Sequence, residues 1–233
     1  MSTRADTRAT DAAPAAAARL PLWLKLAYSG FMAVLIPVYW HYYGPTNFLY
    51  FCDVALILTL AGIWIESPLL ISMCAVGILV SQMVWVMDFV AHIFGVSWIG
   101  MTDYMFLADH SVFLRGLSLF HGWLPFLLLF LVSKLGYDGR ALLAWTLLAW
   151  TLILVCFIFM PGPSADAGLL PVNINYVWGP SDAAAQTWVS PGLWLAGLIV
   201  GLPLLFYAPV HFLLMRIMPK PFSRRFSRQG ARA

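Results

Sequence analysis

Gly44-Pro-Thr-Asn-Phe-Leu-Tyr-Phe-Cys-Asp53 runs without a break into Val54-Ala-Leu-Ile-Leu-Thr-Leu-Ala-Gly-Ile-Trp64. The Gly-Pro step marks a turn. Thr46 or Asn47 is then placed to cap a helix by accepting from its first free N–H groups. From there to Trp64 the chain is apolar over the length of a membrane crossing, about 20 residues. Yet a thiol and a carboxyl, Cys52 and Asp53, stand side by side near its mouth. An ionisable group at membrane depth is costly and marks function by default.

Working outward, six segments have the length and composition of a crossing: about 24–43, 47–65, 68–90, 115–134, 140–160 and 192–218. Of the 233 residues 62% are apolar and only 10% charged, against about 25% charged in soluble domains. Mean hydropathy is +0.84. The expected fold is an all-α membrane protein, a bundle of six transmembrane helices. Residues 1–22 read as a disordered cytoplasmic tail without the apolar core of a secretory signal. Residues 23–219 form the membrane domain, and 220–233 a basic cytoplasmic tail. Pro37, Pro125, Pro203 and Pro209 fall inside the crossings, where kinks packed against neighbours are tolerated.

Twelve of the 13 basic residues fall on one side if both termini are cytoplasmic; Arg115 is the exception. That is the pattern of cytoplasmic loops, and a bacterial inner (plasma) membrane is the expected location. The net charge of +3 sits at the chain ends and points to no nucleic acid. The three cysteines lie in apolar segments and suggest no disulfide framework. Two long outer loops result from this topology, 91–114 and 161–191. The first is half apolar and reads as an interfacial lid; the second reads as folding back over the bundle mouth.

The polar residues then converge. His41, Asn47, Cys52, Asp53, Asp88, His92, Asp103, Asp109, His110, Arg115, His121, Asn173 and Asn175 all fall near the outer face. Such asymmetry predicts a polar cavity opening outward. Cys52 and His121 lie at similar depth, roughly 8–9 Å in at 1.5 Å per residue. An imidazole beside a thiol yields a thiolate nucleophile. Equally, Cys52 fills apolar space and His121 bonds a backbone carbonyl near Pro125. Asp53 needs a partner: an Arg115 ion pair locking two helices, or a catalytic role. Asp88 and His92, spaced i, i+4, can touch at a helix end. Asn173 and Asn175 bind a headgroup or close a turn. No HxxxH or HxxE spacing occurs, so a zinc or iron site would draw ligands from separate elements.

Three short motifs add a resemblance: Phe48-Leu49-Tyr50-Phe51-Cys52-Asp53-Val54, Leu119-Phe120-His121-Gly122 and Asn173-Ile174-Asn175-Tyr176-Val177-Trp178. In that order they resemble the YwaF-like integral membrane proteins, related to a transmembrane phospholipid acyltransferase and to androgen-induced-type lipid hydrolases. Tyr50 and Phe120 stand where that family has His and Ser. The resemblance implies a lipid acyl hydrolase or acyltransferase with Cys52 as nucleophile and His121 as base. Asp53 or Asp88 would orient the imidazole. Asn47, His92, Arg115, Asn173 and Asn175 would hold the headgroup or oxyanion. No cofactor or resident metal enters this reading. The alternative is a non-enzymatic subunit or small transporter whose outer cavity binds a ligand or partner. A third is a metal-dependent enzyme using His92, His110 and His121. Partners expected are membrane lipid, as solvent and substrate, and a second membrane protein or a second copy of the chain.

Overall fold

The structure, a computed structural model, describes residues 20–96, 98–107, 111–163, 171–182 and 184–221. Most of both expected tails, together with Asp109 and His110, lies outside the described residues. Among the described residues the chain is helical, with no strand. The helices are α1 (Leu22–Tyr43), α2 (Phe51–Ile65), α3 (Pro68–Ile93), α4 (Val112–Ser118), α5 (Phe120–Leu135), α6 (Ala141–Phe159), α7 (Pro191–Gly201) and α8 (Ala208–Ile217).

Five helical stretches are long and apolar enough to cross a membrane: Leu22–Tyr43, Pro68–Ile93, Val112–Leu135, Ala141–Phe159 and Pro191–Ile217. Large apolar side chains such as Leu143, Leu147, Leu154 and Ile158 on α6 stay exposed, as a lipid-facing surface does. The chain is an integral membrane protein. The segment expected over 47–65 is divided. A 3-10 turn, Pro45–Leu49, and an extended Tyr50 precede α2, which has 15 residues. At 1.5 Å per residue α2 is about 22 Å long, less than the ~30 Å hydrocarbon layer.

Helix α3 is central and packs against α2, α5, α6 and α8. Its residues Ile71 to Ile78 are all buried, because a helix surrounded by others is apolar on every side. It starts sharply: Pro68 takes the first turn and Ser67 Oγ accepts from Leu70 N at 3.3 Å. Glu66 ends α2 in the left-handed region (φ 51°), and Ser67 N closes on Gly62 O at 3.0 Å. Indole on glycine joins α3 to α6, since a Cβ on Gly77 would fall within 1.8 Å of Trp145 Cε2. Of the prolines expected inside crossings, Pro37 and Pro125 lie within α1 and α5. Pro203 sits in a π-helical stretch, Leu202–Tyr207, that joins α7 to α8, as a missing N–H invites.

Contacts gather one end of the bundle. Glu66 Oε1 accepts from Lys25 Nζ at 2.7 Å and Leu20 N at 3.2 Å. Asp138 N donates to Ser72 Oγ at 3.0 Å, Tyr137 N to Pro219 O at 2.7 Å, and the Tyr137 hydroxyl lies 2.6 Å from His211 Nδ1. Arg140 hydrogen-bonds Asp138 through Nε and Nη2 and holds that carboxyl below its usual value. The other end carries the candidate site.

Candidate functional site

The mouth of α2 is built from three elements. Tyr50 stands at its N-cap position and offers no side-chain bond, where the sequence led to Thr46 or Asn47 as the cap. Asn175, 124 residues later, caps it instead: Phe51 N donates to Asn175 Oδ1 at 3.0 Å, while Asn175 Nδ2 donates to Leu49 O at 2.9 Å and reaches Cys156 Sγ at 3.6 Å. Asn175 adopts φ 58°, a left-handed conformation that asparagine tolerates better than most residues. Asn175→Ala is expected to cost about 2 kcal/mol, from the lost cap and the strained backbone. Asn175→Gly, which removes only the cap, should cost about half of that. Thermal unfolding in detergent reads both.

Released from capping, Asn47 turns inward. Its Nδ2 donates to Asp53 Oδ2 at 3.0 Å, and the Cys52 thiol reaches the same oxygen at 3.9 Å. Asp53 is 3% exposed, and its other oxygen, Oδ1, has no partner among the described residues. The expected ion pair of Asp53 with Arg115 is not formed. Arg115 Nη1 donates to Met105 O at 3.2 Å.

Asp88, at the end of α3, is fully buried and holds the 98–107 segment rather than His92. It accepts from Ile99 N at 2.7 Å, Gly100 N at 3.4 Å, Thr102 N at 3.0 Å and Thr102 Oγ1 at 2.9 Å. His92 Nδ1 lies 3.3 Å from Asp103 Oδ1, without the alignment of a hydrogen bond. Its ring stacks on Phe106 at 3.9 Å. From there a column of rings runs inward through Phe89 and Trp85 to His121 and Phe120. Between these fastenings Tyr104 faces Ser118, Trp85 and Cys52, and burial holds its phenol far above its ordinary pKa, so it stays neutral. The half-apolar 98–107 segment thus packs over the cluster.

Cys52 and His121 occupy the same end of the bundle, but each spends its bond elsewhere. His121 Nδ1 lies 2.7 Å from Ser118 O. A carbonyl only accepts, so Nδ1 carries the proton and Nε2 is left as the acceptor in the neutral ring. No hydrogen bond joins thiol and imidazole among the described residues. The carbonyl is Ser118's, three residues before the ring, rather than one near Pro125, and the helix is interrupted at Leu119 between α4 and α5. Asn173, also left-handed at φ 49°, closes a turn: its Oδ1 accepts from Trp178 N at 2.9 Å, and its Nδ2 donates to Gly179 O and Ser181 O. His41 is exposed at the end of α1. Among the described residues no three His, Cys, Asp or Glu side chains converge as metal ligands.

Several residues of the cluster escaped sequence reasoning. The Tyr39 hydroxyl meets Ser118 Oγ at 2.8 Å, and Ser118 Oγ also reaches Leu114 O at 3.4 Å. Gln82 and Trp85 are buried on the face that also carries Asp88 and His92. The signal was present: positions 82, 85, 88 and 92 recur at helical spacing on one side of α3. Comparison with protein-family models, with curated proteins and with solved structures finds no match to this chain.

Proposed function

We propose that this protein is a non-enzymatic membrane binding protein, a small transporter or the ligand-binding subunit of a membrane complex. With the short α2 counted as a sixth crossing beside the five long stretches, both termini lie in the cytoplasm and the polar cluster around Asp53 lies at the opposite face. The supporting observation is the Asp53 carboxyl, buried in an apolar bundle with one oxygen unpartnered among the described residues. A group so costly to bury is retained for what it binds. The distribution of Lys and Arg supports the orientation.

Acyl transfer is the less favoured reading. A thiol becomes a nucleophile beside a cation or a base, whereas the Cys52 thiol points to the Asp53 carboxyl and no hydrogen bond joins it to the His121 ring among the described residues. Capture of an acyl-lipid analogue on Cys52, lost in His121→Ala, would replace the binding reading with the enzymatic one.

Sidedness tests the proposal. Cys52 is half-buried while Cys74 and Cys156 are fully buried, so one thiol reports. A membrane-impermeant methanethiosulfonate is expected to modify Cys52 in intact cells and to spare it in inside-out vesicles. Modification from the cytoplasmic face alone, or from neither face, overturns the reading.

A further inference from the structure

Among the described residues Asp53 has no positive partner. The ion pairs Lys25–Glu66, His92–Asp103 and Arg140–Asp138 all form elsewhere, and none reaches it. Its neighbours are neutral acceptors and donors: the Asn47 amide, the Cys52 thiol, and the phenols of Tyr39 and Tyr43 from α1 and Tyr50 from the preceding turn, all within electrostatic range. The titratable groups of α3 and α5 are engaged elsewhere. Cys74 Sγ donates to Ala55 O at 3.5 Å, Asp88 holds the 99–102 backbone, and His121 holds Ser118 O. An ionised carboxyl in such surroundings is balanced only by an exchangeable positive charge.

Resting on the binding reading above, we propose that Asp53 is the counter-ion for a monovalent cation, inorganic or ammonium, which competes with a proton for the carboxyl. Asn47 fixes Oδ2 and leaves Oδ1 to face the ligand. A single carboxyl fits one positive charge. Divalent ions demand several oxygens and usually more than one acidic ligand, and among the described residues no second acid or imidazole completes such a set. A lone carboxyl pairs with an alkali-metal ion and with an ammonium alike, so the site chemistry is shared by both sources.

The test uses the full chain in phosphatidylcholine nanodiscs and follows alkylation of Cys52 by N-ethylmaleimide through mass spectrometry of its peptide. Sodium, potassium and ethylammonium chlorides are compared at constant ionic strength against bulky N-methylglucamine. At a concentration of about twice Kd, the bound cation should slow alkylation about threefold, since protection scales as 1 + [L]/Kd. Protection by Na⁺ or K⁺ assigns an inorganic ligand, and protection by ethylammonium alone an organic one. Asp53→Asn should abolish protection. Wild type supplies a second reading that needs no variant: protection should be stronger at pH 8.5 than at pH 5.5, because the proton competes. Absence of protection by all three cations, equal protection at both pH values, or protection retained in Asp53→Asn overturns the proposal. If Cys52 is modified from the expected face yet no cation protects it, only this inference falls; modification from the cytoplasmic face removes the binding reading itself.

Discussion

Replacing Asp88 by alanine is expected to release residues 98–107 from the end of the bundle while the helices stay assembled. The carboxyl satisfies three backbone N–H groups and the Thr102 hydroxyl, and Thr102 itself is fully buried. Deleting it leaves those donors without partners in an apolar setting. Bonds to a charged acceptor contribute about 1.5–3 kcal/mol each and do not add fully, so a local cost of about 3 kcal/mol or more is expected. Hydrogen–deuterium exchange of peptides covering 98–107 should rise sharply, with α3 and α5 unchanged. Asp88→Asn keeps one acceptor oxygen and should fall between. The remaining fastenings, among them Phe89 and His92 on Phe106, Tyr104 beside Ser118 and Arg115 on Met105 O, do not satisfy the amides of Ile99, Gly100 and Thr102. Wild-type exchange rates in Asp88→Ala would refute that role for the carboxyl.

Gly77→Val carries the other large effect, at the heart of the bundle. Trp145 is fully buried against Gly77, and its ring edges onto Phe51 at the start of α2 and Tyr207 in the π-helical stretch. Any Cβ at residue 77 overlaps the indole, whose displacement separates α3 from α6. Overpacking of this kind costs about 1–3 kcal/mol, occasionally more, and here the backbone of α3 cannot retreat because helices pack on its other sides. Loss of the monodisperse species in detergent, or a markedly lower unfolding temperature, is the expected reading. Trp145→Leu in the same chain should recover part of the loss, as a coupled pair does. A Gly77→Val protein as stable as wild type, with Trp145 still buried, would contradict the packing described.

The helices were legible because a crossing is a local property. Twenty apolar residues in a row identify one whatever the rest of the chain does, and five stretches of that kind stand in the fold. The oddity of Asp53 was legible for the same reason, as a carboxyl out of place in its own segment, and the fold buries it. What the sequence hid are partners supplied from afar. Asn47 read as a cap because it precedes a helix, but Asn175 takes that task and frees Asn47 for Asp53. Asp88 and His92 read as a pair because they are four residues apart, but the 98–107 segment offers Asp88 backbone donors that an imidazole does not match. Asp53 and Arg115 looked complementary by charge, yet Arg115 ends on the Met105 carbonyl. Each case turns on competition among partners that no window of the sequence contains.

The clasp between Asn175 and the start of α2 also dictates an order of events during biosynthesis. The ribosome releases Phe51 long before it reaches residue 175, so the second helix enters the bilayer with its leading amide bare. Hydrocarbon penalises such an amide, so the nascent helix holds its mouth at the wet headgroup layer until the later loop arrives. Closure of the α2 mouth is therefore a late step of folding, possible only once residue 175 has been made, with the Pro191–Ile217 stretch still to follow.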